Sequence, residues 1–111
     1  MIRYPAICLL QGRDYVFIFP AEITHILAED GHVDIFIKDK RTVQVSKTMK
    51  ELSSVLPTEI FLRVHHSAII NLMYVDKYHQ NENSTIELIG GHTVPLSRRR
   101  KSEFLERFTK L

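Results

Sequence analysis

Four consecutive cations, Arg98, Arg99, Arg100 and Lys101, are the strongest chemical feature of this chain. Side chains at this density suit a polyanion: arginine offers two parallel hydrogen bonds to a phosphate or a guanine edge, and lysine a compact point charge. Ser97, just before them, is a good helix N-cap residue. A helix starting there puts all four cations in its first turn, where the macrodipole is already positive and each cation costs roughly a few tenths of a kcal/mol. A local rule broken in this way has two readings. One is an anion site, with free backbone amides and cations meeting a phosphate diester; the other is a later helix start with the cations in water.

A second cluster is Arg63-Val64-His65-His66-Ser67. Strand alternation sends Val64 inward with Ile60 and Leu62 and leaves Arg63 and His65 on the other face, with His66 and Ser67 at the strand end. Adjacent histidines on a strand point apart, so no metal site is expected. A hydrolytic triad lacks its G-x-S-x-G turn. Gly12, Gly31, Gly90 and Gly91 match neither phosphate-loop pattern, and the acidic residues are scattered across turns. The expectation is a protein that is not an enzyme, with no cofactor, no metal and no small-molecule substrate.

The elements that must position these residues fit one domain spanning 1–111. The chain has 111 residues, 44% hydrophobic and 25% charged, enough for one core and not two. One cysteine, Cys8, cannot form a disulfide within the chain, which suits a reducing cytoplasm. The longest apolar run, residues 15–21, is far short of a membrane span, and the opening residues are too short for a secretory core. Net charge is +2, but residues 98–111 hold six Lys/Arg against two Glu, so the basic excess lies in the last fourteen residues.

Periodicity gives eight or so short strands. Residues 6–10 and 15–19 flank the turn Gln11-Gly12-Arg13-Asp14. Residues 23–28 and 33–38 flank Glu29-Asp30-Gly31-His32, and 42–45 returns after Asp39-Lys40. Met49, Leu52 and Leu56 then recur at helical spacing, with Thr48 and Glu51 as a capping box and Pro57 as the stop. Residues 60–64 form another strand, 69–72 either a strand or a helical turn, and 75–79 with 85–88 a hairpin around Gln80-Asn81-Glu82-Asn83. Pro95 marks residues 93–96 as an edge strand. Phe104, Leu105 and Phe108 supply one face of a closing helix.

Two segments in this order, Phe61-Leu-Arg-Val-His-His-Ser-Ala-Ile-Ile-Asn-Leu72 and Val94-Pro-Leu-Ser-Arg-Arg-Arg100, resemble the LytTR DNA-binding domain, which carries vHRSyivN-like and ipvSRr-like segments before its final helix. Residues 23–33 and 42–56, with Met49-Lys50-Glu51-Leu52 in place of its LkEL pattern, extend the likeness to roughly residues 6–108. The resemblance implies a mainly β fold: an elongated arrangement of short antiparallel sheets with one short mid-chain helix and a C-terminal helix. It also implies loops that enter successive major grooves of a promoter direct repeat, with a second copy on the adjacent repeat.

Carried over by position, the base-approaching residues are His32, His66 and Arg98, with Arg99 as register neighbour. Lys47, His65, Ser67, Asn71, Arg100 and Lys101 become phosphate contacts or loop supports; Asn71 has a second reading as a buried amide that pins a loop. His66 stands where the family most often has arginine, and Ala68 where an aromatic is common. Imidazole lacks the two-pronged donor fork, and a contact made as a cation strengthens toward pH ~6.5. No receiver domain is expected within these residues. The expected partner is double-stranded DNA, not a membrane. RNA fits less well, because most Phe and Tyr fall on core-facing positions. The alternative is an interaction module whose edge strands and basic helix dock an acidic protein.

Overall fold

The computed structural model describes residues 4–81 and 83–111; the first three residues of the opening segment, and Glu82 of the 80–83 turn, lie outside the described residues. Among the described residues ten strands form: β1 (Ile7–Gln11), β2 (Asp14–Ile18), β3 (Ile23–Glu29), β4 (His32–Ile37), β5 (Thr42–Val45), β6 (Phe61–His65), β7 (Ala68–Asn71), β8 (Val75–His79), β9 (Thr85–Leu88) and β10 (Thr93–Pro95). Two helices, α1 (Met49–Ser53) and α2 (Lys101–Glu106), and 3-10 turns at Pro20–Glu22, Leu72–Tyr74 and Arg98–Arg100 complete them. The ambiguous segment is both things in turn, a strand through Asn71 and a 3-10 turn from Leu72.

Every strand pairing is antiparallel. β1 and β2 form a hairpin, β10-β9-β8 a three-stranded sheet, and β5-β4-β3-β7-β6 a five-stranded sheet. Pro95 does lie in an edge strand, where its missing N–H removes no ladder bond. The molecule measures 45 × 36 × 24 Å, a slab nearly twice as long as thick. No helix among the described residues is long and apolar enough to cross a membrane.

The β7–β6 side of the five-stranded sheet is buried on both faces, whereas β5 alternates buried Val43 and Val45 with exposed Thr42 and Gln44. One core joins Leu9 and Ile18 of the hairpin and Met49, Leu52 and Leu56 around α1 to Ile26, Val33, Ile35, Val43 and Phe61. The other joins Val64, Ala68 and Ile70 to Ile86, Leu88 and Val94 of the three-stranded sheet and to Phe104 of α2. This corrects the expected alternation in β6: Ile60 and Phe61 serve the first core, Leu62 and Val64 the second. With both faces covered, alternation divides residues between two cores instead of between inside and outside. A register shift between Arg63 and His65 adds to the departure.

The capping box forms as expected, with Thr48 accepting from the Glu51 amide and Glu51 accepting from the Thr48 amide. The start of the closing helix does not. Arg98–Arg100 is a 3-10 turn, only Lys101 opens α2, and Ser97 makes no side-chain cap bond. Its backbone N–H is instead committed to the Val64 carbonyl at 2.8 Å, tying the turn to β6. Of the expected apolar face, Phe104 is buried and Leu105 packs at the core edge, whereas Phe108 lies beyond α2 and is 39% exposed. Tyr15, Phe17 and Phe19 are exposed as well, against the expectation that most aromatics face the core; the β1–β2 hairpin packs on one face only.

Candidate nucleic-acid interface

Strand order decides which loops share a surface. Val45 pairs with Val33, Glu29 with His32, Leu27 with Ala68, and His65 with Ala68. One end of the five-stranded sheet therefore gathers Lys47 just after β5, the Asp30-Gly31 turn with His32, and the His66-Ser67 turn between β6 and β7. The arginine turn joins them at the β6 edge, where Ser97 N–H donates to the Val64 carbonyl and Arg100 Nη1 donates to the Arg63 carbonyl at 3.2 Å. Four segments separate in sequence thus form one row across the sheet end.

The β3–β4 turn needs Gly31, whose φ of +76° is left-handed and strained for a side chain. His32, the next residue, has Nδ1 3.1 Å from the Asp30 carbonyl and Nε2 3.5 Å from Asp34 Oδ1. These neighbours fix the ring at the sheet end. Lys47 Nζ is 3.9 Å from Glu51 Oε2, both side chains about half exposed, a contact worth little in water.

The β6–β7 turn is built by side chains. Arg63 Nη2 donates to the His66 carbonyl at 2.6 Å, closing the turn from its start. His65 Nδ1 accepts the Ser67 amide at 3.2 Å and lies 2.9 Å from the Ser67 hydroxyl. Burial, then the nearby His66 and Arg100 charges, push the His65 pKa below the ordinary histidine value. A neutral His65 suits its accepting Nδ1. Its ring lies 4.2 Å from that of His66, which is exposed and points out of the turn. His65 and Ser67 thus brace the loop that presents His66.

Arg98 and Arg99 are exposed, and no carboxylate among the described residues pairs with them. Arg100 is half-buried and holds β6; Lys101 Nζ sits 5.9 Å above the Tyr78 ring. The 3-10 turn and a six-residue helix generate little macrodipole. Attraction for an anion comes from the side chains, which replaces the expected array of free helix amides.

One candidate lies elsewhere. Asn71 pairs with Phe61 at the opposite end of β7 and is fully buried. Its Nδ2 donates to the Ile23 carbonyl and its Oδ1 accepts the Met73 amide, both at 2.9 Å. A buried amide cannot meet a phosphate; Asn71 pins the start of β3 and the turn after β7. Sequence reasoning missed Arg63, whose only signal was an arginine three residues before His66 across a two-residue turn.

The family model described as the LytTr DNA-binding domain matches residues 13–109. The chain is 33% identical over 94 residues to the sensory transduction protein LytT of Bacillus subtilis, covering 83% of this chain and 39% of that protein. It is 28% identical over 101 residues to the sensory transduction protein LytT of Enterococcus faecalis, covering 88% of this chain and 41% of that protein. The chain therefore spans about two fifths of the length of these relatives. Among solved structures, the LytTr DNA-binding domain of a putative methyl-accepting/DNA response regulator from Bacillus cereus superposes with a TM-score of 0.79 at 18% identity, covering 94% of this chain and 96% of that one. At that identity the likeness speaks to the fold.

Proposed function

Because the chain belongs to the LytTr DNA-binding domain family, we propose that it is a sequence-specific, double-stranded-DNA-binding transcriptional regulator that reads a promoter direct repeat with loops and not with a helix. One observation carries this reading: Lys47, His32, His66 and the exposed Arg98 and Arg99 line a single end of the five-stranded sheet. Four strand gaps at ~4.8 Å make that row roughly 19 Å wide. The arginine turn lies beyond its β6 edge and lengthens it toward the ~34 Å that separates successive major grooves.

The roles divide by chemistry. Arg98 supplies the two-pronged donor that fits guanine O6 and N7, with Arg99 beside it. His32 and His66 each offer one ring edge from a braced loop, so their base contacts are single hydrogen bonds or apolar contacts. Lys47 and Lys101 neutralise phosphates and set the register of the protein on the duplex. His65, Ser67 and Arg100 hold the loops. The cytoplasm is the compartment where such a protein meets its promoter.

Selection of bound duplexes from a random pool, followed by sequencing, tests this function. Enrichment of a direct repeat with half-sites about one helical turn apart is the expected result. A pool that stays random, with no duplex retained even at low salt, overturns it and favours docking of an acidic protein on the basic C-terminal segment.

A further inference from the structure

We propose that the outer face of the β1–β2 hairpin binds a second copy of this chain about a twofold axis. The inner face packs Leu9, Val16 and Ile18 into the core. The outer face carries Cys8 and Leu10 on β1 and Tyr15 and Phe17 on β2, with Ala6 and Phe19 continuing the two rows. Cross-strand pairing sets Cys8 beside Phe17 and Leu10 beside Tyr15, and the same register puts Ala6 beside Phe19. Six neighbouring residues on one face carry no charge. A face without a cation is not a surface for phosphates, and the hairpin packs on a different core from α2, which follows the arginine turn.

The amount of apolar surface fits a small dimer interface. Leu10 is 52%, Tyr15 66%, Phe17 67% and Phe19 51% exposed. At about 200 Å² for a full side chain, these four present roughly 450 Å² per copy. That is within the ~300–600 Å² of the largest patch on a typical monomer, a size that is often functional. Two such faces bring together roughly 900 Å², and their rims carry the total toward the ~1,200 Å² at which specific interfaces begin.

Shape selects the occupant. One row is slim (Ala6, Cys8, Leu10) and the other bulky (Phe19, Phe17, Tyr15). A twofold axis lying between two such faces, parallel to the strands, lays the bulky row of each copy over the slim row of the other. Phe17 then meets Cys8 of the second copy, and Tyr15 meets Leu10. The face is complementary to itself, and because the pair is twofold it is an association of the free chain, distinct from the same-orientation pair that a direct repeat lines up.

Sedimentation of the full chain between about 10 and 500 μM tests the proposal, since small interfaces associate in the micromolar range and weaker. The expected result is a concentration-dependent doubling of mass, and crosslinking of the two Cys8 thiols by a short bismaleimide. Phe17→Glu and Cys8→Lys each abolish the doubling and leave the circular dichroism spectrum unchanged, because both positions are exposed. Mixing the two variants restores a dimer, as the carboxylate of one then faces the ammonium of the other. A chain that stays monomeric throughout, or a dimer that survives Phe17→Glu, overturns the proposal and leaves the face to another domain or protein. DNA binding to a single site is unchanged by Phe17→Glu, so failure here is distinct from failure of the DNA-binding reading.

Discussion

Arg98 and Lys101 stand three residues apart, yet the proposed reading gives them different work. Arg98 is exposed at the sheet end, whereas Lys101 opens α2 and leans toward the Tyr78 ring. Arg98→Ala is expected to cost about 1–3 kcal/mol on the selected site and to relax preference at one base pair. Lys101→Ala is expected to weaken all duplexes alike and to lower the salt slope by about one. Competition binding on the selected site and its single-base variants separates the two; an unchanged preference in Arg98→Ala refutes its assignment. A different residue dominates stability against pH. His25 is 1% exposed, its ring 4.2 Å from that of Phe36 and nearly parallel to it, with His92 also close. Burial first, and the His92 charge second, lower its pKa to about 4. Below pH ~6.5 the unfolded chain takes up this proton and the folded one does not, so stability falls as pH drops from there to about 4, by about 3 kcal/mol in all. Denaturant unfolding across that range reads the loss, and His25→Gln is expected to flatten it.

At the scale of elements, short-range chemistry sets the loops. The capping box starts α1 immediately after Lys47, so it also determines where β5 hands over to the helix. Thr48→Ala is expected to cost about 1 kcal/mol, lowering Tm by about 4–8 °C for a domain of this size. Asn71 works at the opposite end of the sheet, where its two hydrogen bonds join β3, β7 and the turn that follows. Asn71→Ala removes the buried bond to the Ile23 carbonyl and the part-buried bond from the Met73 amide, for an expected loss of about 2–4 kcal/mol in chemical denaturation. DNA affinity per folded molecule is expected to be unchanged; a large specific loss of affinity in the folded variant refutes the supporting role. The capping box was legible in the chain because its partners are three residues apart. The role of Asn71 was not, because Ile23 is 48 residues away.

For the whole molecule, the sheet end collects positive charge from segments that are separate in the chain. In the proposed reading Lys47 and Lys101 make about two phosphate contacts, while Arg98 and Arg99 face base edges and Arg100 holds β6. Log affinity against log salt is therefore expected to fall with a slope near −2. A slope near zero in a titration from low to physiological salt sinks the assignment of this end as the DNA surface. The slab shape and the one-sided packing of the hairpin are likewise properties of the assembled fold.

Turns, strand periods, the capping box, the edge position of Pro95 and the run of cations depend on residues within a few positions of one another, and the amino-acid sequence determined them alone. The family segments around His66 and Arg98 were legible in the same way. Tertiary structure decided the rest. Alternation in β6 reports two faces without saying that both are buried, and no local pattern shows that Arg98–Arg100 wind as a 3-10 turn tied to β6 through the Ser97 backbone. The order β5-β4-β3-β7-β6 brings His32 and His66 to one sheet end and sends Asn71 to the other. Strand order is set by which apolar surfaces cover one another, a long-range competition that no local pattern of residues records.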